Sequence, residues 1–79
     1  MSIKPDYEID IRGEVCPYTF VKSKLKIEAI SAGETLRVLT DHEPATKNVP
    51  KSMENEGHEI LSWPNKLNDT DWEFFVKKS

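Results

Sequence analysis

Cysteine is all but missing from this chain: Cys16 is its single thiol. A lone cysteine has no partner for an internal disulfide, so the fold is not stapled, and a reducing, cytoplasmic compartment is expected. Histidine is nearly as scarce. His42 and His58 stand far apart and, with one cysteine, make none of the usual zinc-ligand spacings, so no metal is expected. No apolar run approaches the roughly 18 residues that a membrane-spanning helix needs. The opening "MSIKPDYEID" also lacks the apolar core of a secretory signal. Basic residues are outnumbered, 11 Lys and Arg against 14 Asp and Glu, and the net charge of −3 argues against nucleic-acid binding. Internal repeats and low-complexity tracts are absent as well.

What is present is an ordinary globular balance, 37% hydrophobic and 32% charged with a mean hydropathy of −0.61. Seventy-nine residues with that balance are read as one domain, residues 1–79.

Tyr7, Ile9 and Ile11 alternate with Glu8, Asp10 and Arg12, the period of a half-buried strand, and Gly13 ends it. From Pro17 to about Ala32 the residues favour a helix, with Gly33 as its stop. Phe20, Ile27 and Ile30 group on one side of that helix and Val21, Leu25 and Ala29 on another, and periodicity does not choose between them. "ETLRVLT", Glu34 to Thr40, reads as a second strand. Pro44 and Pro50 then stand six apart. Because proline inside a helix costs about 3 kcal/mol, the expectation is a short turn at Pro44 to Lys47. A helix would follow, starting near Pro50 with Asn48 or Val49 in its cap region and ending at Gly57. His58 to Trp63 reads as a third strand, "PNKLNDTD" as a polar turn and "DWEFFVKK" as a closing strand.

The order is therefore βαβαββ. It implies an α+β two-layer sandwich, a mixed four-stranded sheet with both helices on one face. Strands one and two are expected to be parallel and the last two antiparallel. Leu39, Leu61 and Phe75 are candidates for the other sheet face, either as an interaction surface or as isolated apolar side chains.

If the helix starts at Pro17, Cys16 is its N-cap, a position that favours Ser, Thr, Asp or Asn instead. Unpaired amides and the partial positive charge of a helix start favour an anion. A thiolate is an anion, and such placement lowers a thiol pKa. Arg12 and Lys22 are expected to add to the effect and Glu14 to oppose it. The other reading of Cys16 is a small buried apolar side chain. His42, expected at the same sheet end, reads better as a surface histidine than as half of a Cys–His pair, and His58 as structural or solvated.

Taken in order, "DIRGEVCPYT", "GETLRVLTDHEPATKNVP" and "EGHEI" resemble the TusA/SirA-like family of small sulfur carriers. That family's pattern is Asp-x-Arg-Gly, a short step to Cys-Pro-x-Pro, a Gly-Glu strand start, an acidic strand end with proline, and Gly-His. The resemblance runs from about Tyr7 to Val76. It implies the βαβαββ sandwich, similar to the C-terminal domain of translation initiation factor three. It also implies a sulfurtransferase-type relay without cofactor or metal. Cys16 would accept sulfane sulfur as a persulfide from a cysteine desulfurase or rhodanese-like donor and pass it to an acceptor protein. Pro17 would set the helix start, while Asp10, Arg12 and Gly13 would shape the loop before it. Asp41, His42 and Glu43 would serve partner recognition.

The sequence departs from the family pattern at Thr19, which stands where the second proline is expected. The threonine is expected at N3, leaving one more backbone donor free near the sulfur. Transfer-RNA thiolation, sulfur assimilation and sulfur oxidation are all open as pathways. Two other classes of function compete: a non-catalytic interaction module in which Cys16 is incidental, and RNA binding, which the acidic charge opposes.

Overall fold

The computed structural model describes residues 5–15 and 18–79. Its elements run β1 (Tyr7–Asp10), α1 (Tyr18–Ala29), β2 (Thr35–Thr40), α2 (Glu43–Asn55), β3 (Glu59–Lys66) and β4 (Trp72–Lys77), the βαβαββ order expected. The sheet order is β1-β2-β4-β3. β1 pairs parallel with β2, and β4 pairs antiparallel with both β2 and β3, so the sheet is mixed.

Register places the core. Leu36 faces Val76 and Val38 faces Phe74 across β2 and β4, and directly opposed residues share a sheet face. All four are fully buried in one cluster with Ile27 and Ile30 from the α1 side and Ala45, Val49 and Met53 from α2. Both helices therefore cover the same face, as the alternation implied.

The stripe of α1 that faces the sheet is the Phe20, Ile27 and Ile30 one. Phe20 packs against the core, whereas Val21 and Leu25 are exposed, Leu25 at 63%. Thr19 and Ser23 are buried on the inner side, where the Ser23 hydroxyl donates to the Thr19 carbonyl at 2.8 Å. That local bond satisfies a group that would otherwise be costly to bury. α1 ends at Ala29, three residues before the expected Ala32. The Lys78 ammonium takes the carbonyls of Glu28 at 2.9 Å and Ile30 at 2.7 Å, and Ile30 turns into the core.

The largest correction concerns α2. One helix spans Glu43–Asn55, with Pro44 in its first turn and Pro50 in its interior. Pro44 is harmless there, because first-turn amides lack helical partners. Pro50 deprives the Thr46 carbonyl of its usual donor, yet its ring is fully buried. Ala45, Val49 and Met53, spaced by four, form one buried stripe that exists only if the helix runs through Pro50. Burial of that stripe, about 1.5–3 kcal/mol for each large side chain, outweighs the missing bond. Gly57 ends the helix as expected, at φ +98°. His58 N donates to Met53 O at 3.1 Å and Gly57 N to Glu54 O at 3.0 Å, the paired bonds of a Schellman stop.

β3 also exceeds its expected span. It continues to Lys66 through Pro64, with register shifts between Ile60 and Ser62 and between Ser62 and Asn65. An edge strand tolerates a proline that a central strand would not, and the polar turn shrinks to residues 67–71.

On the face away from the helices, Arg37 spans three strands. Its Nε donates to Glu73 at 2.6 Å and its Nη1 to Glu8 at 3.2 Å. Phe75, opposite Arg37 in the register, is only 8% exposed and Leu39 is half-buried, while Leu61 at the first bulge is exposed. This face is closed in its middle by charged partners and is not a broad apolar plane.

Candidate functional site

β1 and β2 run parallel, so their C-terminal ends lie side by side and the loops that follow them meet. Ile11, fully buried, extends the pairing by one residue, its amide donating to Leu39 O at 2.8 Å. Asp10 then folds back on its own loop. Its Oδ1 accepts from the Arg12 amide at 3.0 Å and from Arg12 Nε at 2.9 Å, and its Oδ2 accepts from Nη2 at 2.7 Å. The short polar side chain closing the backbone two residues on is a turn device of aspartate. Gly13 follows at φ +90°, a region that L side chains resist. Its amide donates to Asp41 Oδ1 at 2.9 Å, which locks the loop after β1 to the loop after β2. Glu14 N donates to Ile11 O at 3.1 Å. Four consecutive amides, Ile11 to Glu14, thus have named acceptors.

Arg12 reaches further. Its Nη1 donates to Asp71 Oδ2 at 3.2 Å, and Asp71 is itself held by Asn68 Nδ2 at 3.2 Å and the Thr70 hydroxyl at 3.2 Å. The Arg12 side chain, and then its amide, hold the Asp10 carboxyl down at about 2. Asp10 first and Asp71 second raise the guanidinium above its already high value. Hydrogen bonds from Asn68 and Arg12 lower Asp71.

Of the sequence-predicted residues, Asp10, Arg12, Gly13 and Asp41 come together here. His42 is the N-cap of α2, half-buried, and its amide donates to Thr40 Oγ1 at 3.1 Å. Glu43 is exposed in the first turn of α2, where a carboxylate complements the helix dipole. Cys16 and Pro17 lie outside the described residues.

Two expectations need correction. Thr19 does not leave its amide free: it donates to Val15 O at 3.3 Å, as Tyr18 N does at 2.8 Å. Nor are Arg12 and Lys22 spare cations. Arg12 is held between two carboxylates, and Lys22 pairs with Glu14 at 3.1 Å. Asp71 was missed from sequence, since nothing local distinguishes it within a polar turn 59 positions from Arg12. Among the described residues, no group of three His, Cys, Asp or Glu is arranged to hold a metal, and no helix is long and apolar enough to cross a membrane.

The chain is a two-layer α+β sandwich whose Asp-x-Arg-Gly loop is pinned beside the loop after the second strand, and its fold is that of a SirA-like protein. The crystal structure of a SirA-like protein from Desulfitobacterium hafniense superposes with a TM-score of 0.76, at 25% identity over 90% of this chain and 95% of that one. Residues 7–78 match the family described as Sulfurtransferase TusA, and the chain belongs to that family. Among its relatives, one from Archaeoglobus fulgidus is 51% identical over 98% of this chain and 86% of its own length. YedF from Escherichia coli K12 is 35% identical over 76% and 78% respectively. Both bear the name "Putative sulfur carrier protein".

Proposed function

We propose that this protein is a sulfur carrier that works through Cys16. The observation that carries the reading is family membership across residues 7–78 by a chain with a single cysteine. The Cys-Pro step at Cys16 and Pro17, on which the sequence resemblance rests, points to that cysteine as the carrier. The Cys16 thiolate attacks the outer sulfur of a donor persulfide. A new S–S bond forms on Cys16, the donor's S–S bond breaks, and the donor leaves as a thiolate. An acceptor nucleophile then attacks the outer sulfur of Cys16–S–SH and releases the Cys16 thiolate. No second thiol is present to collapse the persulfide into an internal disulfide.

The donor is a cysteine desulfurase or rhodanese-like protein, and the exposed acidic residues Asp41 and Glu43, with His42, serve its recognition or that of the acceptor. Activation of the thiol rests on the start of α1 and not on Arg12 or Lys22, whose charges are already paired. One domain over residues 1–79, acting in a reducing cytoplasm, completes the reading.

The test is intact mass after incubation with a desulfurase and cysteine, or with a rhodanese and thiosulfate. The expected result is a gain of one sulfur atom that reductant removes and that Cys16→Ser never acquires. No adduct from any donor, with Cys16 still open to alkylation, would overturn the reading and favour an interaction module.

A further inference from the structure

We infer that Asp71, in the β3–β4 connection, is a positioning residue for the loop that leads to Cys16; the inference rests on the sulfur-carrier reading for its functional half. Arg12 is the link. Asp10 holds one side of its guanidinium, but Asp10 belongs to the same loop and only two residues separate them. Asp71 holds the remaining side, through Nη1, from across the fold. Asp71 is well placed for that task. Its side chain is 14% exposed against 46% for Arg12. Asn68 and Thr70 fix its carboxylate, and its carbonyl accepts from Leu67 N at 2.8 Å.

The geometry gives each carboxylate a separate duty. Asp10 sets the turn, Asp41 pins Gly13, and Asp71 ties the turn to the β3–β4 connection through Arg12. The described loop ends at Val15, whose carbonyl takes the amides of Tyr18 and Thr19, so the loop is bound to the start of α1 as well. Release at Asp71 loosens the loop at Arg12 and Gly13 while the core strands stay intact. Loss of preorganisation at a reacting group lowers rate without removing binding.

The experiment compares Asp71→Ala, Asp71→Asn and the wild type by amide hydrogen exchange at Arg12 and Gly13 and by the rate of sulfur acceptance from a desulfurase. Asp71→Asn keeps an oxygen acceptor for Nη1. The expected result for Asp71→Ala is faster exchange at both amides and a turnover rate lower by about threefold to tenfold, with KM little changed. Asp71→Asn should restore most of both, and Asp71→Ala should add nothing in an Arg12→Met background. Unchanged exchange in Asp71→Ala, or faster exchange with an unchanged turnover rate, would overturn the inference. Wild-type protein that loads no sulfur would instead overturn the proposed function, and the exchange rates would still decide the coupling.

Discussion

Asp10 and Arg12, two residues apart, form a two-pronged hydrogen bond, Nε to Oδ1 at 2.9 Å and Nη2 to Oδ2 at 2.7 Å. The pairing lowers the Asp10 carboxyl to about 2 in the folded protein. In the unfolded chain it titrates at the ordinary aspartate value, about 3.9. Its stabilisation is therefore complete above about pH 4 and fades as pH falls toward about 2. Asp10→Asn should be less stable than the wild type at neutral pH in urea denaturation, with a gap that closes across that acid window. Asp10 is about half exposed, so water screens the pair and the gap is modest. A gap that widens with acid would contradict this account.

The two stripes of α1 make a sharper comparison. Ile27 is fully buried and Leu25 is 63% exposed on the same helix. Ile27→Ala should cost about 2–5 kcal/mol through lost burial and the cavity left behind. Leu25→Ala should change stability by no more than about 0.5 kcal/mol. Urea midpoints for the two variants decide it, and a reversed order would place the other stripe against the sheet.

That comparison marks where sequence reasoning stopped. Alternation exposed β1 and β4 because Ile9 and Ile11 in one stretch and Phe74 and Val76 in the other turn toward the core, and the glycines at 13, 33 and 57 mark real positive-φ turns. It could not choose between two apolar stripes of three residues each, since the choice is made by the sheet beneath. The Pro50 rule failed for a related reason: a local penalty was weighed without the buried stripe of Ala45, Val49 and Met53. At the site, Asp10, Arg12 and Gly13 were legible through the Asp-x-Arg-Gly step on which the family resemblance rests, a short motif whose members are close in sequence. Asp41 was legible only as part of an acidic motif, its bond to Gly13 being a product of parallel pairing. Asp71 was not legible, since only the returning β3–β4 hairpin brings it to Arg12.

Gly13 offers a test of loop geometry that leaves packing aside. A Cβ built there meets nothing within 4 Å, so a side chain has room and the cost is conformational. At φ +90° an alanine should destabilise by about 1–2 kcal/mol. Asparagine tolerates positive φ better and should cost less. Thermal unfolding of Gly13→Ala and Gly13→Asn should show that ranking. Equal stability of Gly13→Ala and wild type would mean that the loop relaxes to another conformation.

Lys78 closes the far end of α1. Its ammonium donates to the carbonyls of Glu28 at 2.9 Å and Ile30 at 2.7 Å, where helical partners run out and the dipole is negative. Its backbone brackets the same turn, accepting from Gly33 N at 2.7 Å and donating to Glu34 O at 3.0 Å. The side-chain bonds can be removed without disturbing the backbone ones. Lys78→Met keeps most of the apolar stem and loses the charge, and should cost about 1 kcal/mol. For a domain of this size that is a drop in Tm of roughly 4–8 °C. Lys78→Arg should recover most of the loss because it retains a charged donor. Lys77→Met, on an exposed neighbour at the end of β4, should change Tm little and controls for removing one positive charge from an acidic protein. If Lys77→Met and Lys78→Met lower Tm equally, the effect is net charge and not the capping of α1.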